Sequence, residues 1–202
     1  MVVHTNSKWS GHLNIQTIIC KCFAINYFIK ISVINTYMDE IRQIMNKTIT
    51  TNFDLEKLTA FLGMRTWIGM RDEFTPQVLV SYDTFILNIQ PSSFGGMHWT
   101  ALFKKKVGEK YQCTFFDPYG SSPMDSIVKA CKREGIQLSY SNNIYQAFKS
   151  ELCGFFCVCF LLCMSKGIPF KRFDKLMSDK EERNDVIVKR IINRELLKLN
   201  QN

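Results

Sequence analysis

Residues 146–163, QAFKSELCGFFCVCFLLC, hold four of the eight cysteines of the chain in one short apolar run. The run over 152–164 is almost entirely apolar, and it is too short to span a bilayer, so it predicts a buried core helix. Ser150 is a candidate N-cap for this helix, and Gly167 lies where a helix stop signal is expected. The stretch therefore predicts the central helix of a globular fold.

On such a helix the four cysteines divide between two faces. Cys153 and Cys157 are four residues apart on one face, and Cys159 and Cys163 are four apart on another. Zinc needs ligands that converge on one point, so one straight helix without a nearby histidine is a poor zinc site. A disulfide within a helix is geometrically unfavourable. The pattern is typical of cysteines that act as small buried hydrophobic residues.

Cys153 differs from the others because it falls in the first turn of the predicted helix. Free backbone N–H groups and the helix dipole favour a thiolate at that position. Gly154 follows, so backbone can approach a ligand closely there. A nucleophilic cysteine needs this placement, together with N–H groups for an oxyanion. Taken alone, however, the local pattern favours a buried core cysteine.

A thiolate nucleophile needs a base, and residues 38–202 contain one histidine, His98. His98 lies in GGMHW, between a glycine-rich loop and a predicted strand over 98–103. Asp117 ends the next predicted strand, over 111–116. In an antiparallel hairpin the start of one strand lies beside the end of the next, so the imidazole and the carboxylate are expected side by side.

Each of these residues also has an ordinary structural interpretation. His98 is consistent with a strand-edge histidine, and Asp117 with a turn former ahead of Pro118. Gln146, seven residues before Cys153, could donate its amide to an oxyanion or be a solvated loop glutamine. A Cys, His, acid and Gln set in which each member lies at the end of an element favours a cysteine hydrolase.

The composition is that of an ordinary globular chain. It has 202 residues, 46% of them hydrophobic, and a net charge of +8. One domain is expected at this length, and a core can form without disulfides. The charge is compatible with DNA binding or with a solvated basic surface. The basic residues gather at 104–110, 129–133, 166–175 and in the C-terminal tail.

The N-terminal part of the chain reads differently from the rest. The apolar stretch 17–35 is interrupted by Lys21 and Lys30, so it predicts neither a cleavable signal nor a membrane span. We therefore expect a protein that is not secreted, with reduced cysteines. Helical segments are predicted from Met38 to Gly63. The domain prediction is an extension of uncertain status over 1–37 and a single domain over 38–202.

Three stretches resemble one protein family. GGMHW at 95–99, FDPYG at 116–120 and Q-x6-C-G-x-F-C at 146–157 look like the adenovirus-type, or adenain-like, cysteine endopeptidases. WIGMRDEFTP at 67–76 and the residues leading into GGMHW also resemble that family. The resemblance covers roughly residues 60–165, and its strength lies in the order of the motifs.

The resemblance implies a catalytic set and a fold. Cys153 would be the nucleophile and His98 the general base, while Asp117 would orient the imidazolium. Gln146 would stand in the oxyanion hole with the backbone N–H of Cys153. The implied fold is α+β and papain-like, with a central antiparallel sheet packed by helices and histidine before cysteine in the chain. Such enzymes of adenoviruses, virophages and Polinton-like elements process structural precursors during virion maturation, cutting after small residues such as glycine.

The resemblance also carries expectations about partners and cofactors. No cofactor is required for the chemistry, and stimulation by DNA or by an activating peptide stays open. Cys131 is the nearest cysteine to the place where the family joins its peptide, and it is offset. The expected partners are capsid or core precursor proteins as substrates and DNA on the basic surface. We expect a monomer without membrane contact, in the virion and in the cytoplasm or nucleus of the infected host cell.

Two other functions remain open at this point. SUMO and ubiquitin-like isopeptidases share the general order of the site residues and also cut after glycine. The spacing from Gln146 to Cys153 fits the adenain-like pattern better. The other alternative is an inert, basic DNA- or capsid-associated protein, and the intact Cys, His and acid set argues against it.

Overall fold

The structure is a computed structural model, and it describes residues 35–200. The chain divides after Gln43 into two units, and of the first unit only residues 35–43 are described. Helix α1 covers residues 35–46. Most of the predicted extension over 1–37 lies outside the described residues, so the domain prediction stays a prediction. The fold and the site described below belong to the second unit, Ile44–Asn202.

A five-stranded mixed sheet forms the centre of this unit. Its strands lie in chain order, and they are β1 (Thr66–Met70), β2 (Thr84–Asn88), β3 (Trp99–Val107), β4 (Lys110–Phe116) and β5 (Gln137–Tyr140). The pairs β2–β3 and β3–β4 are antiparallel, as expected, whereas the outer pairs β1–β2 and β4–β5 are parallel. The α+β fold class with a central antiparallel sheet is therefore confirmed, and the parallel outer pairs are an addition to it.

The β3–β4 hairpin has a buried end and an exposed end. Gly108 makes the turn with a φ of 60°, a conformation that glycine adopts without strain. The residues near this turn are exposed, while the other end of the hairpin lies in the core. There Ala101 is paired with Phe116, which brings the start of β3 beside the end of β4. The predicted hairpin thus places the first residues of β3 and the last residues of β4 in the interior.

Helices cover both faces of the sheet. They are α2 (Asn52–Phe61), α3 (Pro76–Ser81), α4 (Asp125–Arg133), α5 (Cys153–Ser165), α6 (Phe170–Asp174) and α7 (Asn184–Leu199), with a 3-10 turn over Glu181–Arg183. Helix α5 contacts β3 on one side and α7 on the other, and every residue from Cys153 to Met164 is buried. The apolar run over 152–164 is the central helix of the fold, as predicted.

The two faces of the sheet have separate apolar cores. On the α5 side the ring of Phe116 stacks on Phe160 at 4.7 Å and meets Phe173 edge-on at 5.5 Å. On the other side α3 and α4 cover a second cluster that includes Phe85 and Phe115. Alternate residues of a strand point to opposite faces, so Phe115 and Phe116 enter different cores.

Two helix starts differ from the capping patterns in the sequence, and one follows such a pattern. Ser150 does not cap α5, because Leu152 is the N-cap and makes no side-chain cap hydrogen bond. The Ser178–Glu181 pattern, which resembles a capping box, does not open α7, which begins at Asn184 after the 3-10 turn. A capping box does form at Thr51 and Asp54 in front of α2. Within residues 35–200, no helix has the length and apolarity to cross a membrane.

Candidate active site

His98 and Asp117 form a buried pair at the inner end of the β3–β4 hairpin. His98 immediately precedes β3 and Asp117 immediately follows β4. His98 Nε2 and Asp117 Oδ1 are 2.8 Å apart, and Asp117 is only 3% exposed. The hairpin argument predicted this adjacency, and the structure places the two side chains accordingly.

The pKa of His98 is raised from 6.5 to about 9. Burial by itself lowers this pKa, since it disfavours the charged ring. Hydrogen bonds of the ring with Asp117 and then with the Cys153 side chain oppose burial, as do the charges of the same two residues. The imidazole is therefore positively charged at neutral pH, and it lies between the carboxyl group of Asp117 and the sulfur of Cys153.

Cys153 is the first residue of α5 and lies next to the imidazole. Because Nε2 of His98 is bonded to Asp117, Nδ1 is the ring nitrogen available to the sulfur. The N–H groups of the first turn of α5 have no side-chain cap. The sulfur therefore lies at the positive end of a helix and beside a charged imidazole.

Gly154 has a packing reason that differs from the one expected. A Cβ at this position would clash with the hydroxyl of Thr50 and contact Leu55. The glycine thus lets the segment in front of α2 approach the first turn of α5, and not a ligand. The Trp99 indole donates to the Thr50 carbonyl at 3.1 Å and holds the same segment. Glycine is required here because the side chains of Thr50 and Leu55 fill the space that a Cβ would need.

Gln146 is buried, with 1% of its surface exposed, and it borders the same cleft. Its backbone N–H donates to the Pro118 carbonyl at 3.0 Å, and its side-chain Nε2 donates to the Ser150 carbonyl at 2.7 Å. An amide nitrogen carries two hydrogens, so one N–H remains for another acceptor. Its Oε1 has no hydrogen-bond partner among residues 35–200. The oxyanion role predicted for Gln146 stays a prediction.

Tyr119 is a contributor to the site that the sequence reasoning missed. Its backbone N–H donates to Asp117 Oδ1 at 2.8 Å, and its ring lies over the imidazole of His98 at 4.9 Å. Its hydroxyl donates to the Ser150 carbonyl at 3.0 Å. The same carbonyl also accepts a hydrogen bond from the side-chain Nε2 of Gln146. The FDPYG motif indicates a turn and a candidate acid, and the tyrosine in it also links the two halves of the site.

These side chains border one open cleft of about 750 Å³. His98, Tyr119, Gln146 and Cys153 all line it. Cys153 lines the cleft and is itself only 9% exposed. A peptide segment bound in the cleft would lie beside both the Cys153 sulfur and the His98 imidazole.

The other cysteines of α5 lie in the core. Cys157 donates from Sγ to the Trp99 carbonyl at 3.3 Å, and burial raises its pKa well above the ordinary value. The pKa of Cys159 is also raised, first by its hydrogen bond with Cys163 and then by burial. Within the described part of the chain, no group of three or more His, Cys, Asp or Glu side chains could hold a metal ion.

Comparisons with known proteins agree with this architecture. No family model matches the chain, and no curated protein sequence matches it. Among solved structures it is similar to a crystal structure of the ASFV pS273R protease, with a TM-score of 0.54 and 18% identity over 72% of this chain and 68% of that one. A selenomethionine structure of the same protease gives a TM-score of 0.51 at 16% identity, over 72% and 69% of the two chains.

At these identities the likeness establishes the fold. The chain shares the mixed α+β fold of these two protease structures, with the sheet and helices described above. A fold does not by itself assign a reaction, so the function is argued from the site.

Proposed function

We propose that the protein is a cysteine endopeptidase in which Cys153 is the nucleophile and His98 the general base and acid. Asp117 orients the imidazole and stabilises its charge. The observation that carries this proposal is the buried His98–Asp117 pair, 2.8 Å between Nε2 and Oδ1, next to a cysteine at an uncapped helix start. A nucleophile, a base and an orienting acid in contact are the parts that acyl transfer needs.

Acylation begins when the Cys153 sulfur attacks the carbonyl carbon of the scissile peptide bond. The proton of the thiol is held on His98, whose pKa of about 9 favours the imidazolium. The carbonyl oxygen becomes an oxyanion, and the backbone N–H of Cys153 and the free N–H of the Gln146 amide are its donors. The imidazolium then gives its proton to the leaving amine, the C–N bond breaks, and a thioester forms.

Deacylation uses the same groups in the reverse sense. His98 takes a proton from a water molecule, and the water oxygen attacks the thioester carbonyl carbon. The same N–H donors stabilise the second oxyanion. The C–S bond breaks, the peptide acid leaves, and the proton returns to the Cys153–His98 pair.

The finer part of the proposal concerns the substrate. We propose that the enzyme processes structural precursor proteins of a virus during virion maturation and cuts after small residues such as glycine. The support is the resemblance of the three motifs to adenain-like enzymes, together with the fold shared with a viral protease. Stimulation by DNA or by a peptide, and action within the virion as a monomer, belong to the same proposal.

The test compares cysteines of one helix as purified full-length proteins. Cys153→Ala should abolish cleavage of quenched glycine-containing peptides, whereas Cys157→Ala and Cys159→Ala should retain turnover. Limited iodoacetamide at neutral pH, followed by peptide mass mapping, should modify Cys153 first because it alone borders the cleft among these three.

Circular dichroism of each variant confirms that it is folded. Equal loss of activity in all three variants, or cleavage that persists in Cys153→Ala, would overturn the proposal. A ubiquitin-like vinyl-sulfone probe that labels Cys153 while glycine peptides stay intact would assign the isopeptidase function instead. DNA binding without any reaction at Cys153 would indicate an inert binding protein.

A further inference from the structure

Acidic side chains line the cleft that contains His98 and Cys153, whereas the chain as a whole has a positive net charge. Besides His98, the charged residues among its lining are Glu73 and Glu151, and within the described residues neither lysine nor arginine lines it. The whole chain has 26 Lys and Arg against 18 Asp and Glu. A cleft that drew charges at random from this composition would contain more cations than anions, so its acidic character is a local feature.

Both glutamates line the cleft, and they come from different segments of the chain. Glu151 is two residues before Cys153, directly ahead of the N-terminus of α5. Glu73 lies in the turn after β1, where its Oε2 accepts from the Met70 N–H at 2.7 Å. This hydrogen bond holds the Glu73 carboxylate near Gly69, which also borders the cleft.

The rim of the cleft is apolar and open to solvent. Four large side chains that line it are exposed, and Phe148 is exposed to 95%. Exposed apolar side chains grouped around a cleft mark a surface that binds another molecule. The four are Ile49, Phe94, Met97 and Phe148. An apolar rim combined with carboxylates suits an extended peptide that alternates apolar and cationic side chains.

We propose that Glu73 and Glu151 make the cleft selective for substrate segments that carry lysine or arginine beside apolar residues around the scissile bond. The inference rests on the proposed function, since it takes this cleft to be the catalytic one. Carboxylates near the cleft attract cationic side chains and repel acidic ones, which gives specificity more than affinity. Glutamate-rich segments are disfavoured for the same reason.

The net charge of +8 acts against a basic substrate at long range. At about 0.15 M salt the Debye length is about 8 Å, so distant lysines are largely screened. The carboxylates that line the cleft are screened less because they lie next to a segment bound there. The preference should therefore be present at physiological salt. It should shrink as the salt approaches about 1 M, where the Debye length is about 3 Å.

The test uses three quenched peptides with the same glycine-containing core and the same apolar residues. They differ only at two flanking positions, which are both lysine, both glutamine or both glutamate. At about 0.15 M salt the wild-type kcat/KM for the lysine peptide should exceed that for the glutamate peptide by roughly tenfold or more. Glu73→Gln and Glu151→Gln should each reduce this ratio roughly threefold.

Glu109→Gln is the matched control, because Glu109 is exposed in the β3–β4 turn and does not line the cleft. It should leave the ratio at the wild-type value. Equal rates for the lysine and glutamate peptides, or a Glu109→Gln effect as large as the other two, would overturn the inference.

A binding measurement separates this inference from the proposed function. Cys153→Ala is titrated with fluorescently labelled lysine and glutamate peptides, and anisotropy gives the two Kd values. Tighter binding of the lysine peptide by Cys153→Ala, together with no cleavage of any of the three peptides by the wild type, would support the selectivity and contradict the protease function. Cleavage of all three peptides with equal Kd values would support the protease function and contradict the selectivity.

Discussion

The first turn of α5 and the body of the same helix carry the same residue type in two different environments. Cys153 borders a cleft beside a charged imidazole and the N–H groups of an uncapped helix start. Cys157, one turn later, is fully buried and donates to a backbone carbonyl. The difference shows that the neighbours of a cysteine, and not its position in an apolar run, decide whether it can react.

The largest effect on this comparison is expected from Asp117→Asn. Asp117 is the main opposing influence to burial on the His98 ring, so its loss should lower the pKa of His98 from about 9. We expect a loss of roughly 100-fold in kcat/KM near neutral pH. In the wild type, activity should fall as the pH rises through about 9, and in the variant it should fall at lower pH. A pH profile of kcat/KM measures both.

The same raised pKa has a consequence for stability. The charged ring of His98 stabilises the folded state fully below pH 6.5, its ordinary pKa, and this contribution is lost as the pH rises through about 9. Urea unfolding at several pH values should show a smaller pH dependence over this window in Asp117→Asn than in the wild type. If Asp117→Asn left both the alkaline limb of the activity profile and the pH dependence of stability unchanged, Asp117 would not be the cause of the raised His98 pKa.

Gln146→Ala should have the next largest effect. If the free N–H of the amide stabilises the oxyanion, its removal should lower kcat roughly 50-fold with little change in KM. Iodoacetamide has no carbonyl oxyanion to stabilise at the sulfur, so the alkylation rate of Cys153 should change much less than kcat. A parallel fall of the alkylation rate and kcat would instead assign Gln146 to packing around Ser150.

Tyr119→Phe should have a smaller effect, because it removes only the hydrogen bond from the hydroxyl to Ser150. One hydrogen bond contributes about 1 kcal/mol, so kcat/KM should fall about fivefold. Tyr119→Leu also removes the ring that lies over His98 and should shift the alkaline limb of the pH profile. A positioning role predicts this shift, and a purely structural role predicts lower stability with the limb unchanged.

The smallest effect on catalysis is expected from Cys159→Ala. Its side chain lies in the core and hydrogen-bonds with Cys163, away from the cleft. Its removal should destabilise the fold by about 1 kcal/mol in urea unfolding. Peptide cleavage by the folded protein should stay within about twofold of the wild type. A large loss of kcat at unchanged stability would show that the body of α5 takes part in the chemistry.

Local sequence patterns predicted several features of this molecule well. Hairpin geometry placed His98 beside Asp117, and the first-turn argument placed Cys153 at a helix start. Both arguments work because they use short-range backbone rules that tertiary contacts seldom override. The α+β class with a buried central helix followed from the same kind of pattern.

Other features could not be predicted because they depend on residues that are distant in the chain. Gly154 is required by Thr50, about a hundred residues earlier. The role of Tyr119 depends on the Ser150 carbonyl, and β5 and a loop separate these two residues along the chain. The parallel pairing of β1 with β2 and of β5 with β4 likewise has no local signal in a short strand.

By itself the sequence determined which residue types are available and at which element ends they lie: a cysteine at a helix start, and a histidine and an aspartate at the two ends of a hairpin. Only the tertiary structure decided that these ends meet in one cleft, with Tyr119 joining them and two glutamates beside them. The physical reason is range. Backbone geometry acts over a few residues and can be read along the chain, whereas burial and charge at a site depend on every segment that packs around it.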